Sequence, residues 1–314
     1  MRNDPHTPST SPPSPEMQQV SKVIQGDFIA REHQHPRRQR LDISHKTLFY
    51  FGATKTQHYL PKMERWVGSV AIVSGASSGI GAALCVRLAN KGMKVVGVAR
   101  RQEKIQELTK RLTADAKGEI HALQGDISKE EDIKRVVKWT RDNLGGADVL
   151  VNNAGVLHHS PLLTAPTEEW RHVLEVNVLA LCAFTREVIQ DLRDRGCDDG
   201  HIVHINSVMG HYIQPYPGMF MYTASKHSVT VLTEGLRREL SELKSNIRIT
   251  SVSPALTKTD IMVAGGTPQQ VADSVFEQNK SLDPDNVALA VEYTLSAPSH
   301  VNIEEITLRA TGAD

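Results

Sequence analysis

The sequence predicts a doubly wound α/β fold, with one parallel sheet of about seven strands and helices on both faces. Three observations carry that prediction. Short β-rich runs alternate with helical periodicity from residue 64 onward, and the links between them are short. A glycine-rich turn, V-S-G-A-S-S-G-I-G at 73–81, joins the first strand to the first helix. Strand, helix, strand with tight connections is the pattern of parallel crossover units.

Taken in order, residues 69–73 are the first strand. Ile80, Leu84 and Leu88 recur at helical spacing, and Gly92 supplies a stop. Residues 94–98 are the second strand, followed by a helix with Ile105, Leu108 and Leu112 on one face. Residues 120–123 are the third strand. The run S-K-E-E at 128–131 reads as a capping box opening a helix that contains Ile133, Val136 and Val137. Strands four to six are residues 148–151, 201–205 and 247–252, with long helices expected over 167–190 and 222–242. A last helix opens at Pro284, a residue type favoured in a first turn, and a short strand near 306–308 closes the pattern.

Nothing interrupts this alternation, so residues 63–314 are expected to form one catalytic domain. Residues 1–62 differ in kind. The first fifteen hold five prolines and three serines, and R-E-H-Q-H-P-R-R-Q-R follows at 31–40. Such a segment buries too little apolar area to offset its ordering entropy, so a disordered or non-native extension is expected, with Met63 as an alternative start. It lacks the apolar core of a secretory signal, and Asp27, Glu32 and Asp42 disfavour a mitochondrial presequence.

Thirty-six basic and thirty-six acidic residues cancel over 314 positions, which argues against attraction to nucleic acid or an anionic membrane. Cys85, Cys182 and Cys197 are odd in number and widely spaced, unlike a disulfide framework or a zinc cluster. No apolar run approaches the roughly 20 residues that span a bilayer. A cytoplasmic protein without a metal or a transmembrane segment is expected.

The glycine turn lies between strand and helix, the context that separates a phosphate cradle from a linker. Gly75 permits the turn, and Gly79 and Gly81 let backbone approach a pyrophosphate facing the helix end, with Ser77, Ser78 and Ile80 between them. A purely structural turn is the alternative on this motif alone. The second strand ends in V-V-G-V-A-R-R, with no carboxylate for a ribose hydroxyl and with Arg100 and Arg101 for a 2′-phosphate. The expected cofactor is therefore NADP(H).

At this point the chain resembles the short-chain dehydrogenase/reductases. The marks are S-G-A-S-S-G-I-G (74–81), G-D-I (125–127), N-N-A-G (152–155), E-V-N-V (175–178), I-N-S (205–207), Y-T-A-S-K (222–226) and S-P-A-L-T-K-T (253–259). The resemblance implies a Rossmann-type fold and a role for each marked residue. Tyr222 is the acid–base group, Ser207 holds the same substrate oxygen, Lys226 binds nicotinamide-ribose hydroxyls, and Asn177 anchors a water for proton relay. Asp126 and Ile127 flank the adenine; Asn153, Ala154 and Gly155 line the adenosine; Pro254, Thr257 and Thr259 approach the nicotinamide or diphosphate. A homodimer or homotetramer is implied, through the long helices beginning near Thr167 and Tyr222.

Chemistry supports these assignments. A free phenol has a pKa of about 10, too high for neutral acid–base work. Lys226 lies four residues beyond Tyr222 on the same helix face, and its ammonium is expected to lower the phenol's pKa. Three departures from the family pattern stand out: Ser74 replaces threonine, Ala255 replaces glycine, and Ser207 and Tyr222 are fifteen apart. Ala255 is expected to crowd the nicotinamide or restrict the backbone.

The loop between them carries Met209, Tyr212, Ile213, Tyr216, Met219, Phe220 and Met221, an apolar surface beside the catalytic pair. His158, His159 and His211 are candidate pocket groups. Segment 260–282 shows no fixed periodicity and is expected to act as a lid. The expected activity is NADP-dependent hydride transfer to or from a lipophilic alcohol or carbonyl, such as a farnesol-like isoprenoid. A steroid (3- or 17-keto) or general carbonyl reductase is the alternative, and a non-catalytic NADP-binding scaffold or redox sensor is the reading from another class.

Overall fold

Strands buried on both faces build the molecule. In β1 (Val70–Ser74), Val70 and Ile72 face one helical layer, and Ala71 and Val73 face the other. Both faces are covered, so the strand reads as a continuous apolar run. The structure is a computed structural model that describes residues 63–313. The expectations for residues 1–62, and for the boundary after them, lie outside the described residues.

The remaining strands are β2 (Lys94–Ala99), β3 (Glu119–Gln124), β4 (Val149–Asn152), β5 (His201–Ile205), β6 (Arg248–Pro254) and β7 (Glu305–Leu308). They form one seven-stranded sheet in the order β3-β2-β1-β4-β5-β6-β7. Every neighbouring pair is parallel. The order reverses between β1 and β4, and beyond the carboxyl ends of these two strands a crevice must open.

The helices are α1 (Gly79–Asn90), α2 (Gln102–Glu107), α3 (Glu130–Leu144), α4 (Thr167–Leu174), α5 (Ala180–Asp194), α6 (Phe220–Glu242), α7 (Ile261–Ala264), α8 (Gln269–Gln278) and α9 (Pro284–Ser296). Leu84 and Leu88 of α1 and Val287, Val291 and Leu295 of α9 pack with Ala71 and Val73 on one face. Ile133 of α3 and Phe184, Val188 and Leu192 of α5 pack with Ile72, Val96 and Ile202 on the other. Phe184 and Leu192 have no exposed area; truncating a side chain so placed to alanine typically costs about 2–5 kcal/mol.

Three elements differ from the sequence expectation. The helix expected over 167–190 is interrupted by a π-helical turn at Glu175–Leu179 between α4 and α5. The S-K-E-E box does not form: the Ser128 hydroxyl donates to Asp126 Oδ1 at 2.8 Å, and Asp132 Oδ2 accepts from the Asp126 N–H at 2.8 Å. Segment 260–282 holds α7 and α8, whose only fully buried side chain is Ala272. At α9 the sequence signal is realised, since Asp283 and Asn286 form a capping box around Pro284.

Candidate active site

The glycine turn wraps tightly around the end of β1. Gly75 and Gly79 have φ of +68° and +54°, a region L side chains rarely occupy. A Cβ on Gly81 would stand 2.3 Å from the Gly75 carbonyl oxygen and 2.6 Å from Asn153 Nδ2. Asn153 donates from that amide to the Ser74 carbonyl at 2.8 Å. Ser74 Oγ accepts from the Asn153 and Ala154 N–H groups, both at 3.0 Å. Serine therefore supplies at this position the hydroxyl that joins the β1 and β4 ends. Ser78 precedes α1 in extended conformation without a side-chain cap, and the first turn of the helix carries no acid.

Arg101 extends from the start of α2 to this turn, donating from Nη2 to Ser77 Oγ at 3.3 Å. The Arg100 side chain is exposed. Thr259 lies over Gly79, with its Cγ2 3.0 Å from the place of a Cβ there. Thr257 donates to the Ala255 carbonyl at 2.9 Å. Ala255 has no positive φ, Lys244 being the one described non-glycine residue that does; the replacement strains no backbone. A cleft of about 560 Å³ beside the turn is lined by Ser77, Ser78, Gly79, Lys258 and Thr259 among others. Asp126, at the end of β3, turns its carboxylate to the Ser128 N–H and hydroxyl; Ile127 packs partly buried beside the β-sheet core.

Ser207, two residues beyond the end of β5, opens a short 3-10 turn and accepts from the Met209 N–H at 3.1 Å. Tyr222 lies in the first turn of α6 with Lys226 one turn on, and both are buried. The Lys226 ammonium donates to the Ile205 carbonyl at 2.9 Å and lies 5.7 Å from the Tyr222 ring centroid. Burial pushes the Tyr222 phenol up to about 12, opposed by a hydrogen bond from Ser207. Burial likewise pushes Lys226 down to about 8. This reverses the direction expected from the lysine's charge alone: the site is dry enough that desolvation of the phenolate outweighs the nearby cation.

Asn177 occupies the π turn, a device frequent at functional sites. Its Oδ1 accepts from the Val156 N–H at 2.8 Å, and its Nδ2 donates to the Val156 carbonyl at 2.9 Å and to Ser225 Oγ at 3.0 Å. Gly155 is the common neighbour: a Cβ there would be 3.4 Å from Asn177 Oδ1 and 3.9 Å from Lys226 Nζ. Ser207, Tyr222, Lys226 and Asn177 thus converge from β5, α6 and the α4–α5 junction. Two participants escaped the sequence reading. Ser225 stands inside the Y-T-A-S-K motif and links Asn177 to the Tyr222 helix, whereas the Ile205 carbonyl left no sequence signal.

The apolar loop is more open than expected. Tyr212, Ile213 and Tyr216 are exposed by 52, 76 and 54%, while Met209, Met219 and Met221 are partly buried. His211 points away to Glu305, Nε2 to Oε1 2.6 Å. His158 packs against His172 with ring centroids 5.4 Å apart, and the His159 ring lies under Gly218.

A tight glycine turn at the switch point and a buried Ser–Tyr–Lys cluster beside it mark a nicotinamide-linked oxidoreductase. The chain belongs to the short chain dehydrogenase family, whose pattern matches residues 69–269. It is 44% identical to farnesol dehydrogenase of Aedes aegypti over 252 residues, 80% of this chain and 99% of the relative. It is 42% identical to human dehydrogenase/reductase SDR family member 11 over 254 residues, 80% of this chain and 97% of the relative. Among solved structures, serine dehydrogenase complexed with NADP+ is similar with a TM-score of 0.68 at 28% identity, covering 78% of this chain and 98% of that one. An alcohol dehydrogenase from the archaeon Thermococcus sibiricus, complexed with 5-hydroxy-NADP, gives 0.66 at 27% identity, covering 77% and 97%. No helix among the described residues is long and apolar enough to cross a membrane.

Proposed function

We propose that this protein is an NADP-dependent alcohol dehydrogenase and carbonyl reductase acting on a lipophilic substrate of the farnesol type, with residues 63–314 as its catalytic unit. The observation that carries the proposal is the burial of Ser207, Tyr222 and Lys226 together, with the Lys226 ammonium one helical turn beyond Tyr222 and 5.7 Å from its ring centroid. A mere nucleotide-binding scaffold has no use for a phenol held protonated in a dry pocket.

The residues present fit a dinucleotide. The positive-φ glycines turn the chain sharply, Gly81 lets α1 pack against that turn, and the uncapped start of α1 is left to face a diphosphate. Arg101 beside Ser77, with Arg100 next to it, supplies the charge for a 2′-phosphate. Lys226 and Asn177 around Gly155 would hold the nicotinamide-ribose end, and Thr257 and Thr259 its amide and diphosphate. The bound coenzyme supplies the hydride acceptor or donor. Within the chain, Ser207 orients the substrate oxygen and Tyr222 gives it a proton in reduction or takes one in oxidation. Asn177 and Lys226 then connect that phenol to a proton path.

The exposed apolar side chains of Tyr212, Ile213 and Tyr216, in the loop between Ser207 and Tyr222, and the name of the insect relative support a lipophilic substrate. A steroid or general carbonyl reductase would use the same machinery. The exposed apolar face of Leu174, Leu179 and Val231 supports a homodimer formed through α4, α5 and α6, and the three free cysteines support a reducing, cytoplasmic setting. NADPH oxidation with panels of isoprenoid, steroid and small carbonyl compounds tests the proposal. Wild type should turn over the long apolar compounds fastest and Tyr222→Phe should fail on all; equal activity of the two proteins removes the assignment.

A further inference from the structure

A second polar network lies beneath the catalytic groups and touches none of them. His204 of β5 is 1% exposed, and both ring nitrogens are engaged. Nδ1 is 2.8 Å from Thr233 Oγ1 on α6, and Nε2 is 3.3 Å from Thr185 Oγ1 on α5. Asn152, the last residue of β4, donates from Nδ2 to the same Thr185 hydroxyl at 2.8 Å.

The proton positions follow by elimination. Thr233 Oγ1 donates its single proton to the Val229 carbonyl at 2.7 Å, so it accepts from His204, whose proton must be on Nδ1. The neutral ring then has a bare Nε2 that can only accept, so Thr185, which accepts from Asn152, gives it its own proton. The chain runs in one direction: Asn152 amide, Thr185 hydroxyl, neutral imidazole, Thr233 hydroxyl, Val229 carbonyl. Burial, helped by the neighbouring Lys226 charge, pushes the imidazole down to about 3, which keeps it neutral. A phenyl ring in its place makes neither bond.

The two threonines that flank the imidazole lie on helical segments next to catalytic groups. Thr185 of α5 is two turns beyond Asn177, which sits in the π turn that leads into that helix. Thr233 lies on the buried stripe of α6 that contains Tyr222, Lys226 and Val229. The same two helices meet directly through Asn177 Nδ2 and Ser225 Oγ at 3.0 Å. Two rungs therefore fix the separation and rotation of the helices, one at the catalytic level and one beneath it.

We infer that His204 is a positioning residue for the proposed reaction, bridging α5 and α6 through Thr185 and Thr233 so that Asn177 and Lys226 are held at working distance from Tyr222. The inference rests on Tyr222 being the acid–base group. Small displacements of reacting groups cost about 10- to 100-fold in rate. The test compares His204→Phe, His204→Gln and Thr233→Val in full-length protein, using NADPH and a long-chain aldehyde. His204→Phe should lower kcat by about 10- to 100-fold with both KM values nearly unchanged, and should displace the midpoint of the kcat–pH profile. Thr233→Val should do the same to a smaller degree, and His204→Gln, which restores one donor and one acceptor, should recover most of the rate.

A folded His204→Phe with wild-type kcat and pH midpoint overturns the inference, as does a loss confined to melting temperature. If His204→Phe does not fold, Thr233→Val decides by the same criteria. Tyr222→Phe run in parallel separates the two levels: retained activity there defeats the proposed function, whereas its loss beside a normal His204→Phe defeats only the positioning role.

Discussion

The Lys226 ammonium is buried against the Ile205 carbonyl at 2.9 Å, with no carboxylate of the described residues among its hydrogen-bond partners. A charge held this way is costly to the fold. Burial lowers its pKa from 10.5 to about 8, which corresponds to about 3 kcal/mol at neutral pH. The lost hydrogen bond would offset about 1 kcal/mol. Lys226→Met is therefore expected to raise stability by about 2 kcal/mol near pH 7 while abolishing turnover. The sign fixes the pH window. The unfolded chain keeps this proton up to 10.5 and the folded chain only to about 8, so wild-type stability rises across that interval and the advantage of Lys226→Met shrinks. Urea unfolding at a series of pH values checks both points, and a less stable variant at pH 7 contradicts the account.

The pH dependence of the two reaction directions should differ. Tyr222 is held protonated because burial pushes it up to about 12. Reduction needs the phenol as donor and the Lys226 ammonium beside it, so its rate should stay nearly flat around neutral pH and fall with a midpoint of about 8, where Lys226 loses its proton. Oxidation needs the phenolate, and kcat/KM for an alcohol should rise about tenfold per pH unit through the same range. Steady-state profiles in both directions measure this, and parallel profiles would assign the proton to another group.

Much of the fold was legible because its signals are local. Strand residues 201–205 were read with the bounds of β5, and Pro284 correctly marked the start of α9. The glycine turn was legible because positive φ and close approach demand the one residue type without a Cβ. What escaped depends on tertiary surroundings. The π turn under Asn177 leaves the apolar spacing of α4 and α5 unaltered. Helix α8 carries a short stripe of Val271, Ala272, Val275 and Phe276, but only Ala272 is fully buried, and ten residues give too few turns for the stripe to stand out from its surroundings. The Ser128 box was a valid local option that lost to Asp132 bonding the Asp126 backbone. The direction of the Tyr222 shift could not be read from a lysine four residues away, because the amount of water excluded from the pair decides it.

Coenzyme choice should rest on Arg101 more than on Arg100. Arg101 is the residue whose guanidinium contacts the glycine turn, through Ser77 at 3.3 Å. Arg101→Asp removes a donor and adds a charge that repels a 2′-phosphate. It should weaken NADPH binding by about 100-fold or more, on the scale of a lost charge-assisted pair plus repulsion, and leave NADH nearly unaffected. Fluorescence titration with both coenzymes measures the ratio. Equal losses, or a larger effect from Arg100→Asp, would move the phosphate elsewhere.

The proposed dimer makes the last prediction. Leu179 is 62% exposed and Val231 71% exposed, which is unusual for large apolar side chains on well-formed helices. Between their helices lies a shallow groove of about 470 Å³ lined by Val178, His227, Ser228, Val231 and Leu232. A second copy would bring the same residues to the same groove, as a two-fold interface requires. Val231→Asp places a charge at the centre of that contact and should yield monomer in sedimentation velocity. The opposite face of α6 carries Tyr222 and Lys226, so losing the partner should also lower kcat by loosening the helix, and raising protein concentration should restore part of it. A Val231→Asp protein that sediments like wild type would place the interface on another face.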